Sequence, residues 1–205
     1  MKRASLRVEE LESRCLLSHL MSVDILDGFL VVEGSDFSDS IRVAQRGDTL
    51  CVTASNAFGR FRECFSVEDV SSGTVVVYGN DGNDRINLSS LKLDSVVDGG
   101  FGDDRITGGR GQDYLFGHYG DDVLSGGAGD DYLDGEFGDD SVRGGSGDDV
   151  ILGGLGEDTL RGDSGDDLLV EFDSGNLING GSGYDILLTD SLDNVIRRVE
   201  EIELF

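Results

Sequence analysis

The chain has no proline and no tryptophan, only two histidines and three cysteines, and sixteen basic residues against forty-two acidic ones. Each shortage excludes something. A formal charge of −26 argues against nucleic acid or anionic membrane as direct partners and turns attention to cations. No apolar run is long enough to span a membrane as a transmembrane segment. Neither histidine has a Ser or Cys partner in a recognisable catalytic arrangement. The sequence also lacks the HExxH of a metalloprotease and the GxSxG of a nucleophile elbow. The expectation is a protein that is not an enzyme. Aromatic residues make up 7%, and glycine- and aspartate-rich chains this poor in bulky side chains can remain disordered. A strict register argues against disorder here.

From Gly99 to Leu188 the chain repeats every nine residues without insertion, as in GGFGDDRIT, GGRGQDYLF, GHYGDDVLS and GGAGDDYLD. The sixth position is Asp104, Asp113, Asp122, Asp131, Asp140, Asp149, Asp158, Asp167, Asn176 and Asp185. The eighth is always aliphatic, from Ile106 and Leu115 to Ile178 and Leu187. An outlying copy, GNDGNDRIN at 79–87, carries Asp84 at its sixth position and precedes an eleven-residue spacer. A fainter echo, GSDFSDSIR, occupies 34–42. Fixed periods of this kind mark solenoids.

Glycines at positions one, two and four permit positive φ and close backbone approach. The last three residues set an aliphatic side chain between two outward ones, the period-two pattern of a half-buried strand. Two nonapeptides then make one coil of eighteen residues, with turns on opposite edges and aliphatic residues inside. Position-six carboxylates one coil apart share an edge, so Asp131 and Asp149 belong to one file and Asp140 to the other. Oxygen-only donors on flexible turns suit calcium, which accepts six to eight ligands in forgiving geometry. Zinc and copper prefer the His and Cys that these turns lack. His118, at a position-two slot, reads as an exposed substitution.

The repeat resembles the GGxGxDxUx pattern of RTX, or haemolysin-type, calcium-binding proteins. The resemblance implies an all-β fold, a right-handed parallel β-roll or calcium-binding β-solenoid. It implies calcium held between turns stacked on one edge, by position-six carboxylates and backbone carbonyls. The implied metal ligands are Asp84, Asp104, Asp113, Asp122, Asp131, Asp140, Asp149, Asp158, Asp167 and Asp185, with about seven ions between successive carboxylates. The unit EFDSGNLIN has lost its first glycines and its carboxylate. It is expected to keep its strand through Ile178 and to bind poorly or not at all. The GNDGND run is no EF-hand, because the twelfth position from Asp81 is Lys92 where a bidentate Glu is required.

The flanks divide the rest into a sorting-like segment at 1–22, a strand-rich cap at 23–78, the repeats at 79–188 and a closing cap at 189–205. Leu11-Glu12-Ser13-Arg14-Cys15-Leu16-Leu17-Ser18 resembles the LEPR-XLL motif of large surface or secreted proteins, with Ser13 in place of the usual Pro. The plainer reading is a short amphipathic helix. FLVVEG, DSIRVAQ, TLCVTAS, RFRECFSV and TVVVYGN read as short strands. Cys51 and Cys64 come opposite each other if 50–54 and 61–65 pair; a disulfide and two buried free thiols both remain open. The functional expectation is a secreted, extracellular or cell-surface calcium-binding protein with a structural or adhesive role. Its partners would be calcium ions and a cell-surface or matrix component. The alternative is a carbohydrate- or surface-binding module. The outward positions, Arg105, Tyr114, Phe116, Tyr132, Arg143 and Arg161, look mixed and show no regular aromatic ladder.

Overall fold

The structure is a computed structural model that describes residues 21–190 and 194–204. The LEPR-XLL-like segment therefore lies outside the described residues. Among the described residues twenty strands form two sheets of ten strands each, and consecutive strands alternate between the sheets along the repeats. In the first sheet, Tyr132–Phe137 pairs in parallel with Asp113–Tyr119 on one side and Val150–Leu155 on the other. In the second, Ser141–Ser146 lies parallel between Val123–Ala128 and Thr159–Ser164. The register is eighteen residues: Leu115 pairs with Leu133, Leu133 with Ile151 and Leu124 with Val142. The chain is thus an all-β parallel solenoid of about seven turns, a β-roll.

The position-eight side chains fill the space between the sheets and are all but fully buried. The strands are longer than the predicted three residues. Ser141–Ser146 contains positions seven to nine of one repeat and one to three of the next. The turn is confined to positions four to six. Position one points inward like position eight and is also buried, which explains its glycine: the interior at that level already holds the carboxylate of the same repeat.

The repeat extends further toward the N-terminus than its sequence signature. The spacer at 88–98 is itself part of a coil, in which Ser95 pairs with Asp113 and Val97 with Leu115. Two extra residues are absorbed near Ser89 and Ser90, so Ile86 pairs with Ile106 at twenty residues rather than eighteen. Leu88 and Leu91, both fully buried, close that turn.

The cap grows from the same two sheets. Strands β1 (Ser22–Leu26) and β2 (Phe29–Glu33) form an antiparallel hairpin, and β2 runs parallel to Thr74–Asp81 of the first sheet. Strands β3 (Ser40–Arg46), β4 (Thr49–Asn56) and β5 (Gly59–Ser66) form an antiparallel meander whose first strand joins Arg85–Asn87 of the second. All five expected cap strands are present. The hairpin strand β1 was not expected, because it is a half-buried edge with a weak apolar signal. Cys51 and Cys64 face each other across β4 and β5, with Cα atoms 4.1 Å apart, and form a disulfide. Neither side chain is buried. At the other end, Val195–Arg197 and Glu201–Leu204 add one strand to each sheet, two strands where one was expected.

Alternate repeats go to opposite sheets, so outward residues that look mixed along the chain are sorted in space. Arg42, Arg46, Arg60, Arg62, Arg85, Arg105, Arg143, Arg161 and Arg197 all project from the outer face of the second sheet. One row runs Arg62, Thr53, Arg42, Asn87, Thr107, Ser125, Arg143, Arg161, Asn179 and Arg197, with no acidic residue in it. The first sheet presents Tyr114, Tyr132, Phe116 and Asp134 instead.

Candidate metal centres in the turns

Each turn places the position-six aspartate at the end of an inward-facing strand segment, where it is buried despite its charge. Its two oxygens do different work. Oδ1 accepts the backbone N–H of the position-six residue one coil earlier, from Asp104 to Asp122 at 2.7 Å, Asp122 to Asp140 at 2.7 Å and Asp140 to Asp158 at 2.8 Å. On the opposite edge, Asp113 donates to Asp131, Asp131 to Asp149 and Asp149 to Asp167 at 2.9 Å, and Asp167 to Asp185 at 3.1 Å. The two predicted files are therefore present as continuous hydrogen-bonded ladders.

Oδ2 is buried and has no hydrogen-bond partner in Asp84, Asp104, Asp122, Asp131, Asp140, Asp149, Asp158, Asp167 and Asp185. It faces the position-one glycine of its own repeat and the position-one carbonyl of the next coil. A Cβ added to Gly117 would fill that cradle, overlapping Asp122 Oδ2 and lying 2.9 Å from the Gly135 carbonyl. At Gly126 the same space is bounded by Asp131 Oδ2 and the Gly144 carbonyl, 2.8 Å away. Buried carboxylate oxygens without partners are costly unless a cation or a proton meets them.

Burial raises the position-six carboxyls. It pushes Asp122, Asp131, Asp140 and Asp149 up to about 7, Asp104 and Asp167 to about 6, and Asp84 to about 8. The N–H from the preceding coil lowers each of these values in part, and neighbouring carboxylates raise them further. Asp113, Asp158 and Asp185 shift the same way, again chiefly through burial.

The donor set fits a hard cation. Among the described residues no group of three or more His, Cys, Asp or Glu converges on one point, and the further protein oxygens at hand in the cradles are backbone carbonyls. Calcium accepts such a set, whereas zinc and copper sites are built from imidazole and thiolate.

Asp113 differs from the other predicted ligands. Its Oδ1 accepts the Ser95 hydroxyl at 2.6 Å and its Oδ2 the Gly109 N–H at 2.6 Å, so both oxygens are satisfied by the protein. It ends its file. The other file reaches back to Asp39, the sixth residue of the faint echo, whose N–H donates to Asp84 at 2.7 Å. Asp39 Oδ2 in turn accepts the Ser35 N–H at 2.6 Å. The echo's period was the signal for Asp39, and its missing glycines hid it. Asn176 keeps the structural half of the aspartate role, its Oδ1 accepting the Asp158 N–H, while its Nδ2 donates to the Asp173 carbonyl at 3.0 Å.

Position five forms a second ladder running the opposite way. The Asp121 N–H donates to Asp103 Oδ1 at 3.2 Å, Asp139 to Asp121 at 3.0 Å and Asp148 to Asp130 at 3.0 Å. These carboxylates, which the sequence presents only as mutual repulsion, also staple successive turns together.

Two surface features depart from expectation. His118 is half-buried at φ 73°, with Nδ1 2.9 Å from Glu136 and Nε2 3.3 Å from Asp98; these partners raise its pKa against the opposing effect of burial. Position three of one file carries an aromatic ladder, Phe101, Tyr119 and Phe137. Its rings stack at 4.8 Å within 6° of parallel. At the outward positions seven and nine the first sheet also brings Tyr114 to 6.0 Å and Phe116 to 5.9 Å from Tyr132, an aromatic cluster that the interleaved sequence conceals.

Fold and turns together define a calcium-binding parallel β-solenoid built from nonapeptides. Residues 70–90, 98–133, 110–142 and 134–169 match the RTX calcium-binding nonapeptide repeat, so this part of the chain carries RTX calcium-binding repeats. No curated protein matches the chain.

Proposed function

We propose that this is an extracellular, non-enzymatic calcium-binding protein whose roll folds on taking up several ions, in a structural or adhesive role. The observation that carries this reading is the row of nine buried carboxylate oxygens with no partner, all but that of Asp149 shown facing a backbone carbonyl or a second carboxylate across a glycine-sized cradle. Two aliphatic side chains per eighteen residues bury little, and the carboxylates oppose folding until a cation neutralises them. Millimolar calcium outside a cell lies in the range that extracellular calcium modules bind, about 10⁻⁴–10⁻³ M. The Cys51–Cys64 disulfide suits an oxidising compartment. Among the described residues no helix is long and apolar enough to cross a membrane.

Calcium titration of the chelated chain tests this, with circular dichroism for folding and native mass spectrometry for stoichiometry. Cooperative gain of β-signal together with about seven bound ions is expected. A β-rich spectrum unchanged by chelator would overturn the folding switch. A count of one or two would overturn the stacked-turn sites.

The second reading, a carbohydrate- or surface-binding module, is favoured by one feature, the arginine row on the second sheet, where Arg161 lies beside Arg143, itself paired with Asp163. Guanidinium groups on adjacent parallel strands pair with regularly spaced carboxylates or sulfates. A glycan array at millimolar calcium tests it, and specific hits lost in Arg143→Ala/Arg161→Ala would promote this reading over the first.

A further inference from the structure

The irregular unit EFDSGNLIN interrupts the file at Asn176, the one position-six residue in the block without a carboxylate. Its first residue is Glu171, where every other position one in the block is glycine. Glu171 ends the strand Leu168–Glu171 facing inward and is fully buried, as position one is in other coils. Its side chain enters the cradle of the preceding coil. At Gly135 an added Cβ would meet Asp140 Oδ2 and the carbonyl of Gly153, the latter at 2.5 Å. At Gly153 it would meet Asp158 Oδ2 at 2.6 Å and overlap Glu171 Oε2. The glutamate carboxylate thus stands where regular coils present a backbone carbonyl.

We propose that Asp158 and Glu171 form a cation site of a different build, in which a side-chain carboxylate at position one replaces the carbonyl ligand of the regular turns. The two changes in the irregular unit fall in neighbouring cradles: Asn176 removes the carboxylate of its own coil, and Glu171 adds one to the cradle of the coil before. The oxygens of Glu171 divide their work as those of the regular aspartates do. Oε1 accepts the Asp173 N–H at 2.9 Å, while Oε2 is buried without a partner beside the equally orphaned Asp158 Oδ2. Two buried carboxylates facing one point repel unless a cation or a proton lies between them. Asn176 does not compete for that role, since its Nδ2 is a donor already directed at Asp173. The proposal reverses the expectation that the unit binds poorly, and it rests on the calcium-binding reading of the regular turns.

The test counts bound calcium by native mass spectrometry and equilibrium dialysis on the full chain, for wild type, Glu171→Gln, Glu171→Gly and the regular-site variant Asp131→Asn. Glu171→Gln and Asp131→Asn are each expected to bind one ion fewer than wild type. Glu171→Gly guards against misfolding, because glycine is the residue this position carries in the other repeats of the block; it returns the donors of a regular cradle to Asp158 and is expected to keep the wild-type count. If Glu171→Gln keeps the full count while Asp131→Asn loses an ion, a shared proton occupies the cradle and this site falls alone. If Asp131→Asn loses nothing either, the reading of the regular turns falls with it.

Discussion

The cap and the roll use the same two sheets and the same parallel register, yet they solve the problem of the interior differently. Between residues 22 and 78 the interior is apolar: Leu30, Val32, Ile41, Val43, Leu50, Val52, Ala54, Val75 and Val77 are buried together, and a disulfide ties β4 to β5. The one buried aspartate there, Asp39, has its oxygens answered by Ser35. Between residues 99 and 188 each repeat buries one aliphatic side chain and nearly always a carboxylate with an unanswered oxygen. One region is complete in its covalent and apolar parts, and the other is complete only with cations. Within a single solenoid, metal dependence is therefore a local property of the turns rather than of the fold.

Hydrogen exchange read by mass spectrometry, with chelator against millimolar calcium, should break the comparison most sharply. Protection across 99–188 is expected to collapse in chelator while that across 22–78 largely survives. Equal loss in both regions would mean that the cap is not an independent foundation. Acidification in chelator should act next. The roll carboxyls are raised by burial, so the folded state binds more protons than the unfolded one. Their stabilising contribution is then fully present below about pH 4 and is lost as the pH rises through about 6 to 8. Lowering the pH from 8 to 5 without calcium is expected to recover β-signal in the roll, and calcium affinity is expected to weaken over the same window. A metal-free roll most stable at pH 8 would contradict this sign.

A smaller effect should come from the interior. Leu133→Ala in the calcium-loaded roll is expected to cost about 2–5 kcal/mol in denaturant unfolding, because coils packed on both sides cannot collapse into the gap. Opening the disulfide with Cys51→Ser/Cys64→Ser should cost about 3 kcal/mol. That loss should appear in the cap transition and leave the calcium count unchanged.

Much of this was legible in the sequence. Coil length, the two files and the inward aliphatic ladder follow from a period of nine and strict alternation, and the facing of Cys51 and Cys64 from a hairpin about 55–60, although the sequence left their bonding open. What escaped was carried by residues that keep a role while abandoning the signature. Ser95 replaces an aspartate and Asp39 sits in a repeat without most of its glycines, yet both hold their places because bonding to the next coil requires only a donor aimed at its carboxylate, the Ser95 hydroxyl toward Asp113 and the Asp39 N–H toward Asp84. Glu171 looked like decay because Asn176 in the same unit had changed as well; only the fold shows its carboxylate beside Asp158 of the preceding coil. Position five read as repulsion because a sequence shows charges and not the N–H groups aimed at them. The sorting of arginines to one face was concealed by the interleaving of the two sheets.

The opposed ladders in the turns give the molecule a direction. A later coil brings a position-six carboxylate to receive the N–H of the coil before it, and offers its own position-five N–H to that coil's carboxylate. The carbonyl or carboxylate that completes each cradle also comes from the later coil. No coil can finish its own pocket; its successor does so. The roll therefore resembles a polymer that elongates from a templated end, with the apolar cap as seed and the newest coil always the unfinished one. In the last described coil, Asn194 receives the N–H of Asn176 and Glu200 that of Asp185, so both files end on side chains that accept without opening another pocket.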